Sequence, residues 1–176
     1  VVGEGAGAVL LEELEHAKRR GAPILGEIIG FVCNNNGGDL ILPNRNGIGE
    51  TLRLGLEDAA LAADEVDFVS AHATGTKMGD VIEAQAIHAV YGRGPLVTGL
   101  KGYMGHTMGS CGVIETIMTL YMMQDGFVAP TLNLEEPDER CSMIRHTLQL
   151  TERPIRVAGI QNFAFGGVNT NLLIRR

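Results

Sequence analysis

The sequence predicts an α/β fold with a mixed, mostly parallel sheet of five strands covered by helices. Short apolar runs typical of buried strands alternate with longer segments of helical spacing, so the order from Ile24 onward reads β-α-β-α-β-α-β-β. Helical crossovers of about ten or more residues between such strands favour parallel pairing with both faces covered. The 24 glycines are spread along the chain, as tight turns between buried elements require.

The first elements are predicted from apolar runs and their boundary residues. Residues 8–13, AVLLEE, are expected to form a strand, and ELEHAKRR a short helix that Gly21 ends. ILGEIIGFVC predicts a second strand. The loop that follows it, NNNGGDLILPNRNG, is dense in turn-forming residues.

The central part of the chain alternates helices with short buried strands. GETLRLGLEDAALA has helical spacing, and VDFVSA after it predicts a buried strand. The next helix and strand are predicted for GDVIEAQAIHAVYG and PLVTGL. A further helix over about residues 108–124 is apolar nearly all round, so we expect it to be buried.

Three strand ends carry the residues of most chemical interest. His72 follows VDFVSA and His106 follows PLVTGL, each within a loop of glycines and small residues. The last two predicted strands, IRVAGIQN and NTNLLIR, are joined by the turn FAFGGV. Sites in such sheets gather beyond the carboxyl ends of the strands, so we expect these three loops to converge on one rim.

Composition excludes several classes of function. The chain is 45% hydrophobic with a net charge of -7, which supports a packed core and argues against nucleic acid as a partner. Cys33, Cys111 and Cys141 are widely spaced with no CxxC pair, which argues against a disulfide scaffold or structural zinc. No apolar stretch approaches the roughly 20 residues that cross a bilayer. We therefore expect a reducing, cytoplasmic location and no membrane association.

The residues around the two histidines suit the close approach of a ligand. Thr74 and Thr76 place two hydroxyls beside the open backbone of Gly75. His106 precedes a predicted helix N-terminus, whose positive end disfavours imidazolium, so its ring is expected to be neutral. A neutral imidazole can donate an N–H to a carbonyl oxygen that gains negative charge, as in an enolate or a tetrahedral intermediate.

Other polar residues leave alternatives open. Lys101 at a strand end needs a partner, and Glu115 is the candidate, either as a structural salt bridge or within a catalytic site. His72, His106 and Asp80 lack the i, i+4 spacing of paired metal ligands, so we expect no metal site. GEGAGA is not the GxGxxG of a dinucleotide loop. Cys111 beside two histidines suggests a thiol hydrolase, but its position in GSCG favours a small, inert packing residue.

Three motifs together resemble the β-ketoacyl synthases, the condensing enzymes of fatty-acid and polyketide assembly, which have the thiolase-like fold. They are HATGT with GD and E after it, LKGYMGHTMGSCGVIE, and NFAFGGVNTNLLI. The resemblance covers essentially all of the chain. In that family two similar halves stack into one subunit, so it implies that residues 1–23 end the N-terminal half and residues 24–176 form the C-terminal half.

The resemblance also implies roles for individual residues. His72 and His106 match the histidines that polarise the malonyl thioester carbonyl, assist decarboxylation and hold the enolate. Lys101 matches the active-site lysine. The other matched positions are the nearby carboxylates Glu115 and Asp80, the pantetheine-contacting Thr74 and Thr76, and, in the FAFGGV turn, Gly166 and the gating Phe165, whose backbone N–H contributes to the oxyanion hole.

Some positions depart from the family pattern. Ala73 and Ala164 stand where glycine is usual, Val168 where threonine is usual, and Cys111 where alanine is usual. The family's nucleophilic cysteine lies in a Thr-Ala-Cys-Ser-Ser-like segment that this sequence lacks, and none of its cysteines matches it. Residues 1–176 alone are therefore expected to be inactive.

The implied reaction is decarboxylative Claisen condensation of an acyl thioester with malonyl-acyl carrier protein, without a metal or organic cofactor. The implied partners are acyl carrier protein, the missing N-terminal half and, for the full enzyme, a second copy in a homodimer. The alternative is a non-catalytic subunit, similar to a chain length factor, in a ketosynthase heterodimer. A thiolase acting on coenzyme A esters is disfavoured, since biosynthetic thiolases carry one histidine and a second cysteine in these roles.

Overall fold

A computed structural model describes residues 1–176, and a six-stranded mixed sheet with helices on both faces organises it. The sheet strands are β1 (Glu27–Asn35), β2 (Phe68–Ala71), β3 (Leu96–Gly99), β5 (Arg145–His146), β7 (Val157–Ala164) and β8 (Val168–Arg175). A separate antiparallel pair consists of β4 (Phe127–Val128) and β6 (Thr151–Glu152). The helices are α1 (Leu14–Arg19), α2 (Arg45–Asp58), α3 (Gly79–Tyr91), α4 (Lys101–Met104) and α5 (Cys111–Asp125).

The strand order is β1-β8-β7-β2-β3-β5. The four strands β7, β2, β3 and β5 pair in parallel, whereas β8 pairs antiparallel with both β7 and β1. The prediction of five strands was short by one, because β5 is a two-residue edge strand paired with Leu96 and Val97. Two residues are too few to show a hydrophobic period, so the sequence gives no signal for β5.

The predicted strand at residues 8–13 is wrong. This segment is irregular and exposed, because no strand within residues 1–176 lies beside it and a strand needs a paired edge. The helix predicted after it is confirmed as α1. Glu13 begins that helix by accepting the backbone N–H groups of Glu15 and His16, and Gly21 (φ +68°) follows its end.

The two faces of the sheet carry separate hydrophobic clusters. One lies under α2 and α3 and includes Ile48, Leu52, Val69 and Ile87. The other, which contains Phe68, is formed with the residues of α5. No helix in the structure has both the length and the apolar character needed to cross a bilayer.

The helix predicted over residues 108–124 forms, but the expectation that it is buried all round was wrong. It starts as a 3-10 turn, Met108–Ser110, and continues as α5. Glu115 and Met122 are buried, whereas Tyr121 is 60% exposed. The helix packs on β7, and Gly5 and Gly7 lie against Ile114 and Ile117 near its start, so the exposed part of its outer face lies toward its C-terminal end.

The alternating glycines of GEGAGA are explained by close packing. Residues 1–7 run beside α4 and α5, and a Cβ on Gly3 would clash with the carbonyl oxygen of Met104. A Cβ on Gly5 would lie 2.8 Å from Cδ1 of Ile114. The glycines therefore allow an extended segment to approach helices closely, which a larger side chain would prevent.

Candidate active site

The carboxyl ends of β2, β3 and β7 bring the predicted loops to one edge of the sheet. His72 follows β2 directly, and His106 lies after β3 and α4. Their ring centroids are 5.3 Å apart with the planes at 86°, and Phe163 at the end of β7 packs edge-on against His72 at 5.8 Å. Both histidines line an open cleft of about 940 Å³. Parallel strands end at the same edge, which is why residues far apart in sequence meet here.

The backbone of His106 is held by the first residues of the chain. Its N–H donates to the carbonyl of Val1 (2.8 Å), and its carbonyl accepts the N–H of Gly3 (3.0 Å). Gly105 before it has φ +70°, which glycine adopts without steric penalty. Residues 1–3 and the loop that carries His106 therefore hold each other in place through these two hydrogen bonds.

A hydrogen-bonded chain runs from the buried Lys101 to the half-buried His72. Nζ of Lys101 lies 2.6 Å from Oε1 of Glu115, and Oε2 of Glu115 accepts a hydrogen bond from Nδ2 of Asn162 (3.0 Å). The amide oxygen of Asn162 faces Nδ1 of His72 at 3.3 Å. The carboxylate therefore orients Asn162, and Asn162 orients the histidine ring.

Asn162 was missed by the sequence analysis. Its signal in the sequence was weak: a polar residue that ends the buried run IRVAGIQN, directly before the FAFGGV turn. The alternation of side chains along β7 places it on the face that carries Glu115.

Both histidines are neutral at pH 7. The pKa of His72 is lowered to about 3: burial is the largest cause, the Lys101 cation acts in the same direction, and the hydrogen bond to Asn162 opposes the shift. Burial is also the largest cause that lowers the pKa of His106, followed by Lys101. Burial and the nearby Lys101 cation therefore both favour the neutral state expected of His106. The ring also lies at the start of α5, since Sγ of Cys111, the first residue of that helix, is 3.1 Å from its Nδ1.

Glu83 holds the backbone of the His72 loop, a role that the sequence analysis did not assign. Its two carboxylate oxygens accept the N–H groups of His72 (2.7 Å) and Ala73 (2.8 Å). Burial raises its pKa to about 7, although these hydrogen bonds oppose the shift. Ala73 has φ +33°, in the region that glycine favours, so the loop keeps its shape against some backbone strain.

Asp80 orders the threonine loop at the mouth of the cleft. Its Oδ1 accepts the N–H groups of Gly75 (3.1 Å) and Thr76 (3.2 Å). The hydroxyls of Thr74 and Thr76 are 3.2 Å apart, and both residues line the cleft. Burial is the main cause that raises the pKa of Asp80. No three His, Cys, Asp or Glu side chains in residues 1–176 are grouped as metal ligands.

The FAFGGV turn forms the third wall of the cleft. Phe165 is 72% exposed on that wall, and Gly166 beside it has φ +81°. The N–H of Gly166 donates to the carbonyl of Leu40 (2.9 Å), and its carbonyl accepts from Nδ2 of Asn35 (2.7 Å). These bonds dock the loop after β1 against the turn, and they place the exposed side chain of Leu40 on the same cleft.

Cys111 is buried, as a packing residue should be, but it also touches His106. Its Sγ lies 3.1 Å from Nδ1 of that ring, and the side chain does not line the cleft. The burial of Cys111 was expected from the sequence, whereas its contact with His106 was not.

The fold and this cleft define a class of protein. It is an α/β protein whose strand ends present two neutral imidazoles, His72 and His106, to a ligand in the cleft, with the buried pair of Lys101 and Glu115 behind them. The β-ketoacyl synthase C-terminal domain family matches residues 25–135, which is more than half of the chain. The chain belongs to the β-ketoacyl synthase family.

Curated relatives agree with this family over the whole chain. It is 35% identical over 177 aligned residues to 3-oxoacyl-[acyl-carrier-protein] synthase 1 of Escherichia coli K12, of which it spans 43%. It is 37% identical over 181 residues to 3-oxoacyl-[acyl-carrier-protein] synthase 2 of Coxiella burnetii, of which it spans 44%. The chain therefore spans less than half the length of these relatives.

Solved structures share the thiolase-like fold. A β-ketoacyl synthase from Burkholderia phymatum superposes with a TM-score of 0.91 at 42% identity, over 94% of this chain and 41% of that one. The ishigamide ketosynthase/chain length factor gives a TM-score of 0.95 at 36% identity, over 99% of this chain and 44% of that one. A type II polyketide ketosynthase in complex with its acyl-carrier protein gives 0.87 at 29% identity, over 93% and 41%.

Proposed function

We propose that the chain is the C-terminal half of a β-ketoacyl synthase that condenses an acyl thioester with malonyl-acyl carrier protein. The observation that carries the proposal is the pair of neutral rings, His72 and His106, 5.3 Å apart in a cleft at the strand ends. The curated relatives, which are 3-oxoacyl-[acyl-carrier-protein] synthases, support it. On this proposal residues 1–23 end the preceding half, and residues 24–176 form the half described here.

The chemistry needs stabilisation of negative charge on one oxygen. When the malonyl carboxylate leaves as carbon dioxide, its bonding electron pair moves to the α-carbon and is delocalised onto the thioester oxygen as an enolate. On this proposal that oxygen lies against the histidine pair, which holds the enolate. A ring N–H of His106 is the preorganised donor, typically worth about 3 kcal/mol, because the N–H of neutral His72 faces the amide oxygen of Asn162. The enolate carbon then forms a bond to the acyl thioester carbon, whose bond to sulfur breaks, and the sulfur leaves as a thiolate.

The thiol that carries the acyl group lies outside residues 1–176 on this proposal. Cys111, at 1% exposure and away from the cleft, supports that assignment, because a nucleophile must reach its substrate. Lys101 contributes its positive charge near both rings, which adds to burial in favouring their neutral state. The reaction uses no metal or organic cofactor.

The cleft mouth is assigned to the phosphopantetheine arm of the carrier protein. The hydroxyls of Thr74 and Thr76 lie there, where they can bind the polar groups of the arm. Phe165 and Gly167 line the facing wall, with Gly166 between them in the turn, Phe165 as the gate and its backbone N–H as an oxyanion donor. The cleft volume of about 940 Å³ is large enough for an arm of this size.

The partners on this proposal are acyl carrier protein, the N-terminal half of the same enzyme, and a second copy in a homodimer in the cytoplasm. A type II polyketide ketosynthase similar to this chain is solved with an acyl-carrier protein, which supports the first of these. The product belongs to fatty-acid or polyketide synthesis.

The second candidate is a non-catalytic subunit, similar to a chain length factor, that pairs with an active ketosynthase. It is favoured by the similarity to a structure that contains a ketosynthase and a chain length factor. The two candidates differ in whether the full-length protein itself decarboxylates and condenses malonyl-acyl carrier protein.

The test is a condensation assay with the full-length protein, malonyl-acyl carrier protein and an acyl thioester. We expect ketoacyl product from the wild type and a loss of at least about a hundredfold in kcat for His106→Ala. His88→Ala, on the exposed side of α3, is the matched control and retains activity. An inactive wild type would support the non-catalytic subunit instead. Residues 1–176 alone are expected to give no product, and product that Cys111→Ser abolishes would overturn this proposal.

A further inference from the structure

A thiol is packed directly against the ring of His106. Cys111, in the first turn of α5, is 1% exposed, and its Sγ is 3.1 Å from Nδ1 of His106. The hydroxyl of Thr107 donates a hydrogen bond to the same Sγ at 3.4 Å. Cys111 therefore lies between one donor and one ring nitrogen, with no contact to the cleft.

The neighbours of His106 determine which ring nitrogen carries the proton. The backbone N–H of Met108 points at Nδ1 from 3.3 Å. Nδ1 can accept that bond only through its lone pair, so the proton of the neutral ring is on Nε2. Since the Thr107 hydroxyl already donates to Sγ, the S–H of Cys111 is free to point at Nδ1 as a second donor.

We propose, on the basis of the proposed function, that Cys111 is a positioning residue that holds His106 in the neutral tautomer with its proton on Nε2. Two donors, the Met108 N–H and the Cys111 S–H, converge on Nδ1 and leave Nε2–H as the donor available to a substrate oxygen. Cys111 acts through the ring and does not touch the substrate.

This role makes a kinetic prediction for the full-length enzyme. Cys111→Ala removes the S–H and keeps a small apolar side chain, so part of the ring population changes tautomer or orientation. We expect kcat for malonyl decarboxylation to fall about threefold to tenfold, as for loss of one hydrogen bond, with KM unchanged. Cys111→Ser restores a donor at the same position and recovers most of kcat.

The tautomer itself can be measured independently of activity. Full-length protein with 15N-labelled histidine is observed by NMR, and the His106 signals are assigned with His106→Gln. We expect the wild-type shifts of a ring protonated at Nε2, a shift toward mixed tautomers in Cys111→Ala, and wild-type shifts in Cys111→Ser. A wild-type ring protonated at Nδ1, or unchanged shifts and kcat in Cys111→Ala, would overturn the inference.

Cys141→Ala is the matched control. Cys141 is a second buried cysteine, 7% exposed, in the 3-10 turn Glu139–Cys141, and it makes no contact with either catalytic ring. The Cys141→Ala substitution should leave the His106 NMR signals and kcat unchanged. If the wild-type protein lacks decarboxylase activity, the proposed function fails, and the NMR shifts still decide the tautomer of His106. If the wild-type protein is active and the Cys111 variants have the same kcat and NMR shifts as the wild type, only the positioning role of Cys111 fails.

Discussion

Nζ of Lys101 and Oε1 of Glu115 lie 2.6 Å apart, and their side chains are 5% and 0% exposed. Both charges are removed from water, so each depends on the other and on the amide of Asn162 that Glu115 also binds. Burial raises the pKa of Glu115, while the Lys101 cation opposes that shift. Through Asn162, this buried pair fixes the orientation of the His72 ring.

Glu115→Gln is expected to destabilise the protein strongly, because it leaves the ammonium of Lys101 buried without its carboxylate. The expected loss is about 3–5 kcal/mol in the free energy of unfolding, measured by chemical denaturation. The control is Glu50→Gln, which breaks the exposed pair with Arg53 and should change the free energy by less than about 1 kcal/mol. Equal effects of the two substitutions would show that Lys101 has another partner.

Asn162→Ala is expected to reduce catalysis more than stability. The substitution removes the only side chain that joins Glu115 to His72, so the ring loses its fixed orientation. We expect kcat for condensation to fall about tenfold, the value of one lost hydrogen bond in the site, with a smaller change in KM. Asn46→Ala on the exposed surface of α2 is the control. An unchanged kcat in Asn162→Ala would mean that the ring is oriented by packing against Phe163 alone.

Stability should depend on pH through His72. Its folded pKa of about 3 lies below the ordinary value of 6.5, so between these values the unfolded chain binds more protons than the folded one. The free energy of unfolding therefore falls as the pH is lowered from 6.5 to 3. Above pH 6.5 the contribution of neutral His72 to stability is complete.

His72→Gln should remove that slope, and His88→Gln should keep it, in unfolding curves measured between pH 3 and 7. Glu83, whose pKa is raised to about 7, has the opposite sign, because the folded state then binds more protons between pH 4.5 and 7. Both variants retain Glu83, so the difference between their curves isolates the histidine. Parallel curves would contradict the depressed pKa of His72.

Ala73→Gly is expected to stabilise the protein by about 1 kcal/mol. The residue has φ +33°, where a Cβ is strained, and glycine removes that strain. Ala89→Gly, at an exposed position within α3, is the reference and should destabilise by about 1 kcal/mol, since glycine weakens helix interiors. Thermal unfolding should show opposite shifts in Tm; a lowered Tm in Ala73→Gly would show that the methyl contributes more through packing than it costs in strain.

The sequence by itself determined the alternation of strands and helices, because each element buries a periodic set of apolar residues that can be recognised locally. It also identified His72, His106, Lys101 and Glu115 as the residues of interest. The strand predicted at residues 8–13 failed for a related reason: an apolar run indicates burial, but a strand also requires a neighbouring edge.

Only the tertiary structure decided how these residues act on one another. Three contacts join segments that are distant in the sequence or differently oriented. Asn162 connects Glu115 to His72, Glu83 accepts hydrogen bonds from the backbone of the His72 loop, and the thiol of Cys111 lies at Nδ1 of His106. Hydrogen bonds depend on distances of a few ångströms and on direction, and residue spacing in the sequence fixes neither. The sequence therefore specified which side chains reach the rim of the sheet, and the packing of α3 and α5 against the sheet determined their partners.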